Sequence, residues 1–495
     1  MAHMRLSDIV RPFHRRRLLS VVAALWLANA LAAAEEGQAK PGVKYFRSDL
    51  GVAEPASGPL PANLEEPGAL LWRAPLAPGQ SSPIVCNGRV FLTTFRSESK
   101  ELATVALDSV KGEGLWKRVV PAARIETFHP QMGSAAVSTP ACDSARLYVF
   151  FGSYGLVCYD FQGHTLWEHA LGPFQDEYGA GSSPVLIEDK VVLCQDHDTQ
   201  SFLLALDRLT GRTVWKVPRP DAVRSYSTPA IWTRAGRPEL LVAGALDLAG
   251  YDPATGGILW WTHGLARIVI PAPVPFGELV YMASWAPGGD PVNRVALDPW
   301  PVALAKWDKN KDGRLSRDEI DDPEVLERFF RMDLDQSGDL DQKEWERHAA
   351  VFRRAQNALL ALKPSGKGEL GDRDLIWKYQ RGIPYVATPL LDQGILWLVK
   401  DGGTVTKLDA ASGQLLQAER LPGPGNYYAS PVAGDGKVYF ASEQGVITVV
   451  ANQKEWKVIS SHNFHEKIYA TPAIDRGRLY IRTAKALYCF TRATN

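Results

Sequence analysis

A dipeptide that opens a strand, Ser or Thr followed by Pro, recurs along this chain. It occurs at Ser82-Pro83, Thr139-Pro140, Ser183-Pro184, Thr228-Pro229, Thr388-Pro389, Ser430-Pro431 and Thr471-Pro472, and Ala272-Pro273 fills the remaining place. A second signal trails the first: a strand ending in small-x-Asp, a turn with Gly, then Trp, as in ALDRLTGRTVW from Ala205 to Trp215 and YDPATGGILW from Tyr251 to Trp260. The fourth-strand positions are Trp72, Trp116, Trp167, Trp215, Trp260, Trp377, Gln417 and Trp456, so both signals count eight. Away from one interruption and a longer early connection, the proline-to-proline period is about 41 to 45 residues, the length of one four-stranded blade. A blade is apolar on both faces and needs a neighbour on each. Eight copies therefore predict an all-β, eight-bladed β-propeller.

The ends of the chain predict how the ring closes. The last copy stops after LYCFTR at Arg492 with three strands, whereas GALLWR, from Gly68 to Arg73, is an orphan fourth strand. The N-terminal strand is expected to complete blade eight and leave no open edge. The blade pattern TP…G-x-LY…A-x-D…TG-x-x-x-W resembles the pyrroloquinoline-quinone (PQQ)-type propeller repeat of quinoprotein dehydrogenases and of an outer-membrane assembly lipoprotein, over about residues 68 to 298 and 373 to 493. The resemblance implies the fold and little about the ligand, because the repeat records Trp docking between blades.

One copy is interrupted. Asp298, in RVALD, stands 79 residues before Trp377, in DLIW, where ordinary copies need seven or eight. This places an insertion, residues 299–372, in the turn between the third and fourth strands of blade five. Two twelve-residue segments lie within it, DKNKDGRLSRDE from Asp308 to Glu319 and DLDQSGDLDQKE from Asp333 to Glu344. A hard cation such as Ca²⁺ needs six to eight oxygens, supplied from positions 1, 3, 5, 7, 9 and 12 of such a loop, with Gly at position 6. Loop one offers Asp308, Asn310, Asp312, the Arg314 carbonyl, Ser316 and Glu319; loop two offers Asp333, Asp335, Ser337, the Asp339 carbonyl, Asp341 and Glu344. The tandem resembles an EF-hand pair, which implies two Ca²⁺ sites, with Leu315 and Leu340 forming a short ladder between the loops.

Only 13 residues separate Glu319 from Asp333, room for one shared helix with Asp321 or Asp322 as N-cap and Val325, Leu326, Phe329 and Phe330 on its apolar face. An exit helix is expected from Trp345 to Leu362, with Ala349, Phe352, Ala355, Leu359 and Leu360 inward. The shared helix prevents the two hands from swinging apart, so a structural calcium role is favoured over sensing.

Lys plus Arg equals Asp plus Glu, 55 of each, which leaves no global field to draw nucleic acid. His14-Arg15-Arg16-Arg17 followed by an apolar run from Leu18 to Ala34 reads as a signal peptide over residues 1–34, of Sec or twin-arginine type, and implies a periplasmic or extracellular protein. Membrane contact is expected only if this signal stays uncleaved as an anchor. Residues 35–67 read as a Pro/Gly-rich linker, 68–298 and 373–495 as the two parts of the propeller. The five cysteines (Cys86, Cys142, Cys158, Cys194 and Cys489) lie in apolar stretches and read as small buried hydrophobes, with at least one unpaired within the chain.

Propeller ligands bind where blade-to-blade loops and second-to-third-strand loops converge. Here those loops are ETFHP, PFQDEYGAG, QDHD, RSYS, KDGG and GNYY, which bring His129, Asp196, His197, Asp198, Arg224 and Lys400 as candidates for a polar pocket. No spacing among them enforces a reaction. The favoured function is a non-catalytic, exported, calcium-binding scaffold that takes a protein or glycan ligand at the mouth. The alternative is a PQQ-dependent dehydrogenase, disfavoured because alcohol-oxidising members of that family carry an adjacent Cys-Cys pair and this chain has none.

Overall fold

A computed structural model describes residues 43–493, apart from 55–56, 130, 175, 288 and 290–295 and the Phe352 side chain; the signal-peptide segment lies outside the described residues. Eight sheets form the ring, antiparallel throughout except where Gly368–Glu369 adds a short parallel edge to blade four. Blade one runs through strands Ile84–Cys86, Arg89–Arg96, Glu101–Asp108 and Gly114–Val120, from channel to rim, and the other blades repeat this order. Blade eight takes its outermost strand, Leu70–Pro75, from the N-terminus, pairing Trp72 with Cys489 and Arg73 with Tyr488. The expected all-β eight-bladed ring and its N-terminal closure are both present.

The repeated residues explain why the blades stack. The Trp116 indole donates to the Phe161 carbonyl of the next blade at 2.9 Å, Trp167 to Arg208 at 3.1 Å and Trp377 to Ala410 at 3.1 Å. Each ring lies flat on the Gly of its neighbour's turn. A Cβ on Gly211 would sit 2.6 Å from the Trp167 ring, and its φ of 70° also demands glycine. Around the channel, each Ser or Thr of the Ser/Thr-Pro pair accepts the backbone N–H of the same position one blade earlier. Ser82 N–H donates to Thr139, Thr139 to Ser183, Ser183 to Thr228, Ala272 to Thr388, Thr388 to Ser430, Ser430 to Thr471, and Thr471 back to Ser82, at 2.9–3.1 Å. The belt breaks only where Ala272 offers Thr228 no hydroxyl.

The structure moves the interruption of blade five. Its strands are Val274–Phe276, Leu279–Ser284, Ala358–Leu362 and Leu375–Tyr379, so the insertion separates the second and third strands, not the third and fourth, and the third strand falls inside 299–372. Ala296–Asp298 form no strand. The misreading has a physical source. In other blades the Asp ending strand three folds the turn by accepting backbone N–H groups, as Asp207 does from Leu209 and Thr210, whereas ALLAL carries no such Asp. Asp374 does this work from the far side of a longer turn, accepting Ser365 and Gly371 N–H at 2.9 and 3.0 Å. The exit helix accordingly ends early, at Gln342–Arg354, and Leu359 and Leu360 are strand residues.

The segment read as a linker is also corrected. From residue 43 onward it is packed into the ring. Lys44 exchanges two backbone hydrogen bonds with Cys142 of blade two, and Gly51 and Ala53 bond Ala433 of blade seven. Between them the Arg47 guanidinium donates to the Pro389 and Pro431 carbonyls at 3.0 and 3.1 Å. The segment thus crosses the channel and occupies the edges of innermost strands, whose unpaired N–H and C=O groups supply the driving force. Cys86 and Cys142 form a disulfide between blades one and two, while Cys158, Cys194 and Cys489 are free and buried. Among the described residues, no helix is long and apolar enough to cross a membrane.

Candidate functional site at the paired loops and the channel mouth

The inserted unit has its own small core of Trp300, Trp307, Val325, Phe329, Met332 and Trp345. Leu315 pairs with Leu340 and Ser316 with Asp339 in a two-stranded ladder between the loops. Gly313 and Gly338 take φ of 78° and 90°, the sharp turn that position 6 requires. The connecting helix divides into Pro323–Leu326 and Phe329–Met332, with the Asp322 carboxylate capping Glu324 and Val325 N–H. Val325, Phe329 and Met332 face inward at i, i+4 and i+7, which turns Phe330 out to 54% exposure, contrary to the inward face expected for it.

The two loops differ in how their carboxylates gather. In loop two one carboxylate oxygen each of Asp333, Asp335 and Glu344 lie within 4.8 Å of one another. Glu344 Oε1 accepts Leu334 N–H at 2.7 Å while its Oε2 accepts Asp341 N–H at 3.1 Å. Asp341 caps the Gln342–Arg354 helix by accepting Glu344 N–H at 2.8 Å, so positions 9 and 12 of the loop are also a capping box. In loop one Glu319 is held by Ser316, through N–H and hydroxyl at 2.9 Å, which draws its carboxyl below the usual range. Asp308 Oδ1 is buried with no hydrogen-bond partner. An orphaned carboxylate oxygen in loop one and three convergent carboxylates in loop two are an all-oxygen, anionic donor set that fits a hard divalent cation.

This unit stands against the propeller mouth. The Arg347 guanidinium donates to the Pro220 carbonyl, between blades three and four. A cleft of about 730 Å³ lies between the unit, which contributes Phe330, Asp333 and Gln336, and propeller loops that contribute Glu126, Phe128, Asp176 and Arg224.

Of the six mouth candidates, three group in buried ion pairs. Asp196 is gripped by Arg219 at 2.7 and 2.9 Å, and Asp198 by Arg224, which also reaches Glu177 at 2.5 Å. His197, 2% exposed, places Nδ1 3.2 Å from Asp176 Oδ2 and stacks on Phe174 at 4.0 Å. His129 is half-buried beside Tyr178, and Lys400 is exposed and joins none of these groups. Glu126, Asp176 and Arg219 were missed, although ETFHP and PFQDEYGAG contain the first two. Burial, with the nearby Asp176 charge, pushes the Glu126 carboxyl up to about 7. Only the fold brings these loops together, so no sequence spacing marked them.

The channel itself is lined by Tyr178, Tyr226, Tyr385, Tyr428 and Tyr469 above the Ser/Thr belt, enclosing about 240 Å³, with Phe46 of the N-terminal segment also in the wall. None of its lining residues is charged. PQQ is a tricarboxylate and needs cations to hold it, so the channel residues do not fit that cofactor.

Comparison with known proteins agrees with the architecture. Residues 42–178, 106–267 and 351–495 match the family described as outer membrane protein assembly factor BamB, and the matches omit the stretch holding both loops. No curated protein sequence matches the chain. Among solved structures, BamB from Moraxella catarrhalis is 12% identical with a TM-score of 0.53, covering 85% of this chain and 99% of that one. The computationally designed Ika8 protein is 10% identical with a TM-score of 0.52, covering 86% and 100%. A europium-containing methanol dehydrogenase is 9% identical with a TM-score of 0.46, covering 94% and 100%. At these identities the likeness concerns the fold. With most of its blades matched by one family, this chain belongs to the propeller family described as outer membrane protein assembly factor BamB.

Proposed function

We propose that the protein is an exported propeller that binds a protein or glycan ligand at its mouth without transforming it, and that its paired loops hold structural calcium. The observation that carries this reading is the position of loop two, whose Asp333 belongs at once to the convergent carboxylate group and to the wall of the mouth cleft. A cation bound there neutralises part of four acidic side chains and stiffens that wall. The family match supports the scaffold reading, and the uncharged channel argues against a quinone-dependent dehydrogenase.

Calcium calorimetry and limited proteolysis test the proposal. Chelation is expected to expose residues 300–355 to protease while the propeller's melting temperature stays put. Cleavage unaffected by chelation, or absence of a calcium heat, would overturn the loop assignment. Dye-linked alcohol oxidation appearing on addition of quinone would overturn the non-catalytic assignment. Cell fractionation with residues 1–34 deleted checks export.

A further inference from the structure

The channel is blind, which makes it a pocket and not a pore. Residues 44–53 cross it and are anchored by backbone pairing to Cys142 and Ala433 and by the Arg47 guanidinium on Pro389 and Pro431. Above this floor the tyrosines pair with one another. Tyr428 and Tyr469 stack with centroids 5.9 Å apart, and Tyr178 meets Tyr226 edge-on at 5.8 Å. Val137, Ile270 and Val386 fill the wall between them.

The chemistry of the lining selects its occupant. A space of about 240 Å³ holds several waters. Waters against the tyrosine rings and aliphatic groups, which make up most of the wall away from the belt, form few hydrogen bonds, and an apolar group that displaces them there gains affinity. A charged group finds no counter-ion among the lining residues and loses its hydration on entry. The Ser/Thr belt supplies polarity without charge, because each Oγ already accepts a backbone N–H and its own O–H remains to donate. We propose that the blind channel is a binding site for one small, uncharged aromatic molecule bearing a hydrogen-bond acceptor, stacked among Tyr178, Tyr428 and Tyr469. No residue of the paired loops lines this pocket.

The test uses the full chain with naphthol as the uncharged probe and naphthalenesulfonate as its charged counterpart, titrated by saturation-transfer NMR with calcium and with chelator. Naphthol is expected to saturate one site per chain, at least tenfold more tightly than the sulfonate, under both conditions. Val386→Trp, which fills the wall, should weaken naphthol binding at least tenfold with its circular-dichroism melt retained. Ile270→Trp, on another blade, repeats the test should the first variant fail to fold. Equal binding of the two probes, no saturable naphthol signal, or unchanged affinity in both variants would overturn the proposal. A parallel calcium titration distinguishes that failure from a failure of the loop assignment.

Discussion

The sharpest prediction concerns the order in which the two loops fill. Loop two presents four carboxylates, Asp333, Asp335, Asp341 and Glu344, against three in loop one, Asp308, Asp312 and Glu319. One additional unit charge about 4.5 Å from a divalent cation contributes about 2 kcal/mol even at the dielectric of water, a lower bound because Glu319, Asp333 and Glu344 are buried. That converts to about a 30-fold difference in dissociation constant. Geometry points the same way. Loop two's carboxylates already lie within 4.8 Å of one another, whereas in loop one the Asn310 amide is spent on Asp312 at 2.9 Å and Ser316 on Glu319. Glu344→Gln leaves loop one as the working site, and Glu319→Gln leaves loop two. Calorimetry in moderate salt should find Glu319→Gln binding its remaining calcium about 30-fold more tightly than Glu344→Gln. Affinities equal within threefold, or the reverse order, would refute the charge-counting argument.

Three further outcomes are expected. The Cys86–Cys142 bridge closes a loop of 56 residues, so the Cys86→Ser/Cys142→Ser double variant should lose up to about 4 kcal/mol of unfolding free energy in denaturant titrations, and non-reducing peptide mass spectrometry should recover the linked pair. Thr139→Val leaves the Ser82 N–H without its acceptor and should cost about 1–3 kcal/mol, while Ala272→Ser completes the belt and should stabilise by about 1 kcal/mol; calorimetric melts decide both. Glu126 is raised to about 7 in the folded protein from an ordinary value of 4.5, so the folded state holds its proton more tightly and stability falls as pH rises from about 4.5 to 7, by about 3 kcal/mol at most. Glu126→Gln should flatten that slope in melts across the same window, and an unchanged slope would place the titration elsewhere.

The ring was legible because each blade must bury both faces, so Ser/Thr-Pro and Gly-x-x-x-Trp recur wherever a blade docks on the next. Strand closure by Gly68–Arg73 was legible for a related reason: an unpaired last strand would leave an edge. The loop ladder at Leu315 and Leu340 followed from twelve-residue spacing, which is local. Blade five was misread because RVALD imitates the end of a third strand, and only pairing of Ala358–Leu362 with Leu279–Ser284 distinguishes the two.

What failed to show at the mouth and in the channel depends on residues far apart in the chain. Arg47 meets Pro389 and Pro431 across the channel, Cys86 meets Cys142 across a blade boundary, and Glu126, Asp176 and His197 converge from separate turns. Local repetition encodes blade shape and ring closure, since the same packing problem is solved eight times with the same residue types. The mouth cleft, the sealed channel floor and the docking of the paired loops each arise once, where non-repeating segments meet. A unique contact leaves no periodic trace, so tertiary structure alone decides it.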